Sequence, residues 1–229
     1  LDAWRDLLPR AARAVCGDVP VSVTNDGDVS ALAGYMTLGS GRVLGAAFGT
    51  SFAVGYVDAA GGFLGWEAGD EFVGFSNELA FVIADLDPAA ARDVNWSDKP
   101  CYSQFLSQDA VVRLGRVAGI AYDSGDLAEQ LKEVQALAEA GDERAASVFR
   151  SVGAYLAHGV PHFAWIYGGE IASILLLGRV MSGVGGEIIL ATARQILAEE
   201  YPAVAVALVL PDEEFRRKGQ AVYASFIHA

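Results

Sequence analysis

Residues Ala172–Leu190 read ASILLLGRVMSGVGGEIIL. Ala172–Leu177 is apolar throughout, the composition of a strand buried on both faces. Gly178 stops it, the stretch from Gly178 to Gly186 is loop chemistry, and Glu187–Glu200 follows with helical periodicity. A second pair comes next, with strand Ala203–Leu210 and then a helix over Asp212–Ile227. Upstream, Gly141-Asp142 opens a long amphipathic run that puts Ala145, Val148, Phe149, Val152, Leu156, Val160 and Phe163 on one face. Pro161 inside that run is expected to kink or break it, and Gly168-Gly169 to end it. Helix–strand–helix–strand–helix with apolar strands is α/β organisation.

The first half differs. Asp2–Ala14 is helical in spacing and closes at Gly17, Val19–Thr24 is a short β-branched run, and Asn25-Asp26-Gly27-Asp28 is turn chemistry. Asp28 or Ser30 is expected to cap a helix running to Leu38. Val43–Phe48, Phe52–Asp58 and Phe63–Glu67 read as three strands joined by Gly49-Thr50-Ser51 and by Ala59–Gly62, connections short enough for antiparallel neighbours. Gln108–Ala118 and Asp126–Ala140 read as helices. The fold class expected is therefore α/β, a mixed β-sheet flanked by helices.

With 29 Asp+Glu against 16 Lys+Arg, the 229-residue chain carries a net charge of −13, which argues against a nucleic-acid partner. Its 53% hydrophobic content suits a substantial core. No apolar run reaches the ~20 residues of a membrane span, and no basic-then-apolar leader is visible, so no membrane association and a cytoplasmic location are expected. The two cysteines, Cys16 and Cys101, give neither a disulfide framework nor metal-ligand spacing. His158 and His162 lie four apart, but without a His-Glu-x-x-His pattern they read as core or helix-surface residues, and no metal ligand is expected. Trp66, Trp96 and Trp165 are expected in the core or at an interface.

Four stretches together resemble the ROK family (repressors, uncharacterised frames and sugar kinases) of the actin/hexokinase-like ATPases. Val23–Ala33 (VTNDGDVSALA) is similar to its strand–Asn-Asp–helix segment, and Gly45–Tyr56 (GAAFGTSFAVGY) to its second phosphate hairpin. Phe75–Leu86 (FSNELAFVIADL) resembles its Gly-Glu-Leu-Gly-His region, and Ala172–Leu190 the strand, glycine turn and helix that hold adenosine. The resemblance implies an actin-like ATPase (ribonuclease H-like) fold, one complete lobe plus part of a second. The chain opens on Leu1, and the Asp-x-Gly-Gly-Thr loop expected of the first lobe does not occur in it. The expectation is a fragment: an amino-terminal-lobe remnant at 1–40, a carboxy-terminal lobe at 41–211 and a returning helix at 212–229, inactive alone.

The resemblance implies ATP-dependent phosphorylation of a sugar or sugar derivative, with ATP and Mg²⁺ as cofactors and a homodimer as the assembly. Asp26 would be the catalytic base, and Asn25, Asn77 and Glu78 would orient the sugar. Gly49, Thr50, Ser51, Gly178 and Arg179 would lie along the nucleotide. Each has a plainer reading: Asn25–Asp28 as a tight turn, Gly49–Ser51 as a hairpin turn, Glu78 as a loop glutamate and Arg179 as a surface ion pair. Departures from the pattern are visible. Ser51, Phe52, Ala53 and Val54 stand where glycines are expected, and Phe81 replaces a zinc-ligating histidine. Ser103 stands near the place of a second sugar-binding glutamate. The cysteine cluster is reduced to Cys101, so no structural zinc is expected. These departures point to the alternative, a non-catalytic sugar-sensing or regulatory relative.

Overall fold

The structure, a computed structural model, describes residues 7–17, 25–62, 78–93, 98–213 and 215. The expected strands Val19–Thr24 and Phe63–Glu67, the residues Asn77, Trp66 and Trp96, and nearly all of the expected helix Asp212–Ile227 lie outside the described residues.

Strands β1 (Val43–Phe48) and β2 (Phe52–Val57) form an antiparallel hairpin with Phe48 opposite Phe52. β1 also pairs in parallel with β3 (Ser173–Leu177), which pairs in parallel with β4 (Ala207–Val209), giving the order β2-β1-β3-β4. All of β1 is buried, as a strand covered on both faces must be. Alternation sorts its side chains. Leu44, Ala46 and Phe48 join Ile174 and Leu176 in the main core, whereas Val43 and Ala47 join Leu175 and Leu177 on the other face.

Helices α1 (Leu7–Cys16) and α2 (Asp26–Leu38) precede the sheet; α3 (Gln108–Val117), α4 (Leu127–Glu139), α5 (Glu143–Ile166) and α6 (Gly183–Glu200) follow the hairpin. The main core fills the space between the sheet and α3–α6, with Val111, Leu131, Phe149, Leu156 and Ile189 among its fully or almost fully buried members. On the opposite face α2 touches the hairpin backbone to backbone. A Cβ at Gly27 would stand 1.9 Å from the Val54 oxygen, at Gly45 2.2 Å from Ser30, and at Gly55 2.3 Å from Gly27. Three glycines therefore set the depth at which α2 sits, and with it the position of Asp26.

Several expectations need correction. The cap of α2 is Asn25, not Asp28 or Ser30: its side-chain oxygen accepts from the Gly27 N–H at 2.7 Å, and Ser30 instead donates to the Asp26 carbonyl. Asp26 accordingly opens a helix. Pro161 does not break α5, which runs unbroken from Glu143 to Ile166. The stretch from Gly178 to Gly186 is not all loop: a 3₁₀ turn spans Arg179–Met181, and α6 already starts at Gly183, with Gly185 and Gly186 at places where a Cβ would meet the Phe149 ring and the Met181 carbonyl. The last described strand is only Ala207–Val209, with Ala207 exposed and Leu208 buried. Trp165 is 77% exposed and stands outside the core. His158 bonds Tyr201 Oη at 2.9 Å and His162 faces Tyr102 Oη at 3.4 Å, both on α5.

Candidate active site

Five structural elements converge on a cavity of about 720 Å³ at the carboxyl ends of β1 and β3. That is the end at which open α/β sheets take ligands, and the volume lies in the small-molecule range. Asp26 enters from the amino terminus of α2, Gly49, Thr50 and Ser51 from the β1–β2 turn, and Gly178 and Arg179 from the turn after β3. Residues separated by as much as the length from Asp26 to Arg179 thus share one space.

The local chemistry explains these placements. Asp26 and Asp28 occupy the first turn of α2, where negative charge suits the helix's positive end. The Gly27 N–H is shared between Asn25 Oδ1 at 2.7 Å and Asp26 Oδ1 at 3.0 Å. Asn25 therefore has its amide oxygen engaged, which leaves its NH₂ as donor. Opposite pairing of Phe48 and Phe52 leaves a three-residue turn, closed by the Gly49 N–H donating to the Ser51 carbonyl at 2.9 Å. Gly178 has φ +96°, and a Cβ there would stand 2.4 Å from the Phe48 oxygen, so glycine is required on both counts. Its neighbour Arg179 is exposed and makes no ion pair among the described residues.

Glu78 lies at the start of the 3₁₀ turn Leu79–Phe81, outside the cavity lining but within electrostatic reach of Asp26. Partial desolvation first, and then the Asp26 charge, raise its carboxyl above the ordinary glutamate value. Ser103 is buried away from the cavity, donating to Asp93 Oδ2 at 3.1 Å beside the Cys101 thiol at 3.1 Å. Phe81 is 38% exposed. Among the described residues no group of three or more His, Cys, Asp or Glu side chains is placed to hold a metal ion.

Gln108 of α3 and Ala128, Leu131, Lys132 and Gln135 of α4, which the motifs did not single out, also line the cavity. Gln108 stands at the start of α3; Leu131, Lys132 and Gln135 line one face of α4. Gln135 donates to the Arg179 carbonyl at 2.8 Å, tying α4 to the turn after β3. The Gln108 N–H donates to the Gly49 carbonyl at 2.8 Å, tying α3 to the hairpin turn. One sequence signal for Gln108 existed: Ser107 ahead of an apolar run is a helix cap, and its Oγ accepts from the Ala110 N–H at 3.2 Å. Among the described residues the charged ones lining the cavity are Lys132, Arg179 and Asp26, a net positive set in a chain of charge −13, with Lys132 also paired to Glu129 at 2.7 Å. An anionic ligand suits it.

A strand, turn and helix over a mixed sheet, with a second turn and a helix-borne carboxylate in one cleft, is the arrangement that the resemblance to actin-like ATPases led one to expect. Solved structures bear this out: the chain has the fold of the ROK-family sugar kinases. It is similar to a ROK family glucokinase from Streptomyces griseus, solved with glucose and AMPPNP, at 18% identity and a TM-score of 0.66, over 96% of this chain and 70% of that one. A ROK hexokinase from Thermus thermophilus matches at 19% identity and 0.66, over 94% of this chain and 66% of that one. A ROK family protein from Streptococcus pneumoniae, solved with sucrose, matches at 16% identity and 0.67, over 93% and 68%. The chain thus spans about two thirds of the length of these proteins. No family model and no curated protein matches the sequence.

Proposed function

We propose that the intact protein is a ROK-family sugar kinase, transferring the terminal phosphoryl group of ATP to a sugar hydroxyl. The observation that carries this reading is the gathering of Asp26, the Gly49–Ser51 turn and the Gly178–Arg179 turn around one cavity with a net positive lining. Asp26 takes the proton of the attacking hydroxyl. Asn25, through its free NH₂, and Glu78, as acceptor, hold the sugar's other hydroxyls, with Asn77 beside them in sequence. Thr50 and Ser51 donate hydroxyls to the phosphates, Gly178 lets the backbone approach the nucleoside closely, and Arg179 supplies charge. Asp26 is the carboxylate among the described lining residues, and Mg²⁺ would enter on the nucleotide's phosphates, leaving Asp26 to accept the proton. Bound Mg²⁺ neutralises phosphate charge. The assembly is a homodimer in the cytoplasm.

The test is calorimetry of the intact protein with ATP-Mg, then turnover with a panel of hexoses and hexosamines. Asp26→Asn is expected to lower kcat by about 10²- to 10⁴-fold with ATP affinity retained. Absence of heat at millimolar ATP would overturn the kinase reading. One observation favours a second reading, a sugar-sensing relative without catalysis: Gly49 is the sole glycine of a turn whose amide is spent on Ser51. Sugar binding without ATP binding is the outcome specific to it.

A further inference from the structure

The hairpin turn spends one of its backbone donors on itself. Its Gly49 N–H is consumed within the turn, and no further glycine follows in Thr50, Ser51 or Phe52. Another group in the same cavity has the opposite condition. Gln108 is 3% exposed and lines the cavity, yet its carboxamide has no hydrogen-bond partner among the described residues. Its polar atoms are not among the buried ones left without a partner, so they open on the cavity, where a ligand can take the bonds that no described residue takes.

Its position indicates which kind. Gln108 opens the ten-residue helix α3, whose positive end therefore faces the same space. Its backbone N–H holds the Gly49 carbonyl at 2.8 Å, so the side chain stands beside the hairpin turn. Lys132 and Arg179 contribute positive charge around the same volume. Donor, helix end and cations all favour an anion.

We propose that Gln108 is a phosphate-binding residue: its side-chain NH₂ donates to a phosphate oxygen of the nucleoside triphosphate beside the Gly49–Ser51 turn. It adds from α3 a donor beside the Gly49 N–H that is spent within the turn. This inference rests on the nucleotide-binding reading above and deepens it by naming a residue outside the motifs. The bond is absent for a ligand that has no phosphates.

The experiment is calorimetry of the intact protein with ATP-Mg and, separately, with adenosine, on the wild type, Gln108→Leu and Gln108→Glu. Gln108→Ala serves as a variant that can only enlarge the cavity, and thermal melts confirm that each one is folded. Expected is a rise in the ATP Kd of tenfold or more in Gln108→Leu and Gln108→Ala, larger in Gln108→Glu, with the adenosine Kd unchanged within twofold. An unchanged or lower ATP Kd in Gln108→Leu and Gln108→Ala overturns the inference, since the side chain then only fills space. Equal losses for ATP and adenosine overturn it too, because they put Gln108 on the nucleoside. Wild-type protein that binds neither ligand overturns the nucleotide-binding reading itself, a failure distinct from the other two.

Discussion

Two adjacent residues, Gly178 and Arg179, show how structure and ligand binding divide at the scale of single side chains. Gly178 carries φ +96° and lies against the end of β1, where any Cβ would meet the Phe48 backbone at 2.4 Å. Gly178→Ala is therefore expected to cost about 2 kcal/mol or more, read as a lower denaturation midpoint in urea. Arg179 is exposed and without an ion pair among the described residues, so its truncation removes no ion pair among them. Arg179→Ala should leave the urea midpoint within about 0.5 kcal/mol of wild type and raise the ATP Kd about threefold to tenfold. A midpoint loss in Arg179→Ala as large as in Gly178→Ala would contradict this division. The residues that announce themselves in the sequence are of the first kind, because a glycine at a strand end is a local necessity. Gln108, Lys132 and Gln135 are ordinary polar residues of helical segments, and only the packing of α3 and α4 against the two turns brings them to the cavity.

At the scale of elements, what was legible followed local rules. Glycine breaks and short connections located β1 and β2, and Gly141-Asp142 located the start of α5. The departures came from tertiary contacts. Pro161 remains helical because its neighbours Val160 and Phe163 are buried, at 0% and 1% exposure, and this anchorage outweighs one lost backbone bond. Gly185 and Gly186 read as loop residues, yet they belong to α6, where they are glycine because the Phe149 ring and the Met181 carbonyl leave no room for a Cβ. The cap of α5 yields a pH prediction. Asp142 accepts from the Arg144 and Ala145 N–H groups, and the Arg144 side chain bonds it at 2.6 Å. The hydrogen bond from Arg144 leads the causes that lower its carboxyl from 3.8 to about 2. A depressed carboxylate stabilises the fold fully above 3.8, and that contribution fades as pH falls through about 2. Asp142→Asn keeps a capping side chain but does not titrate. Its melting temperature should therefore fall less steeply between pH 4 and 2 than that of the wild type. Parallel slopes would show that the cap does not contribute to acid sensitivity.

For the whole molecule, the question is whether the cavity can loosen independently of the core. Its walls come from α2, the hairpin, α3, α4 and the turn after β3. All but α2 place residues in one continuous buried cluster, from Phe48 and Phe52 through Val111 and Leu131 to Val180, and α2 is seated directly on the hairpin. Phe149 lies within that cluster at 0% exposure and fills the space above Gly185 at the base of α6, away from the cavity lining. Phe149→Ala should cost about 3–5 kcal/mol, the transfer and cavity cost of a buried aromatic ring. Because the walls share this core, the loss should be global. Urea unfolding followed by far-UV circular dichroism and by release of a fluorescent ATP analogue should give superimposable transitions, both moved to lower urea by the same amount. Release of the nucleotide well before loss of helix would mean that the walls open as a separate unit, and that the shared cluster does not couple the site to the fold. The geometry favours coupling: the Gly49–Gln108 and Arg179–Gln135 bonds join the two turns to α3 and α4, and both helices are rooted in the cluster that Phe149 completes.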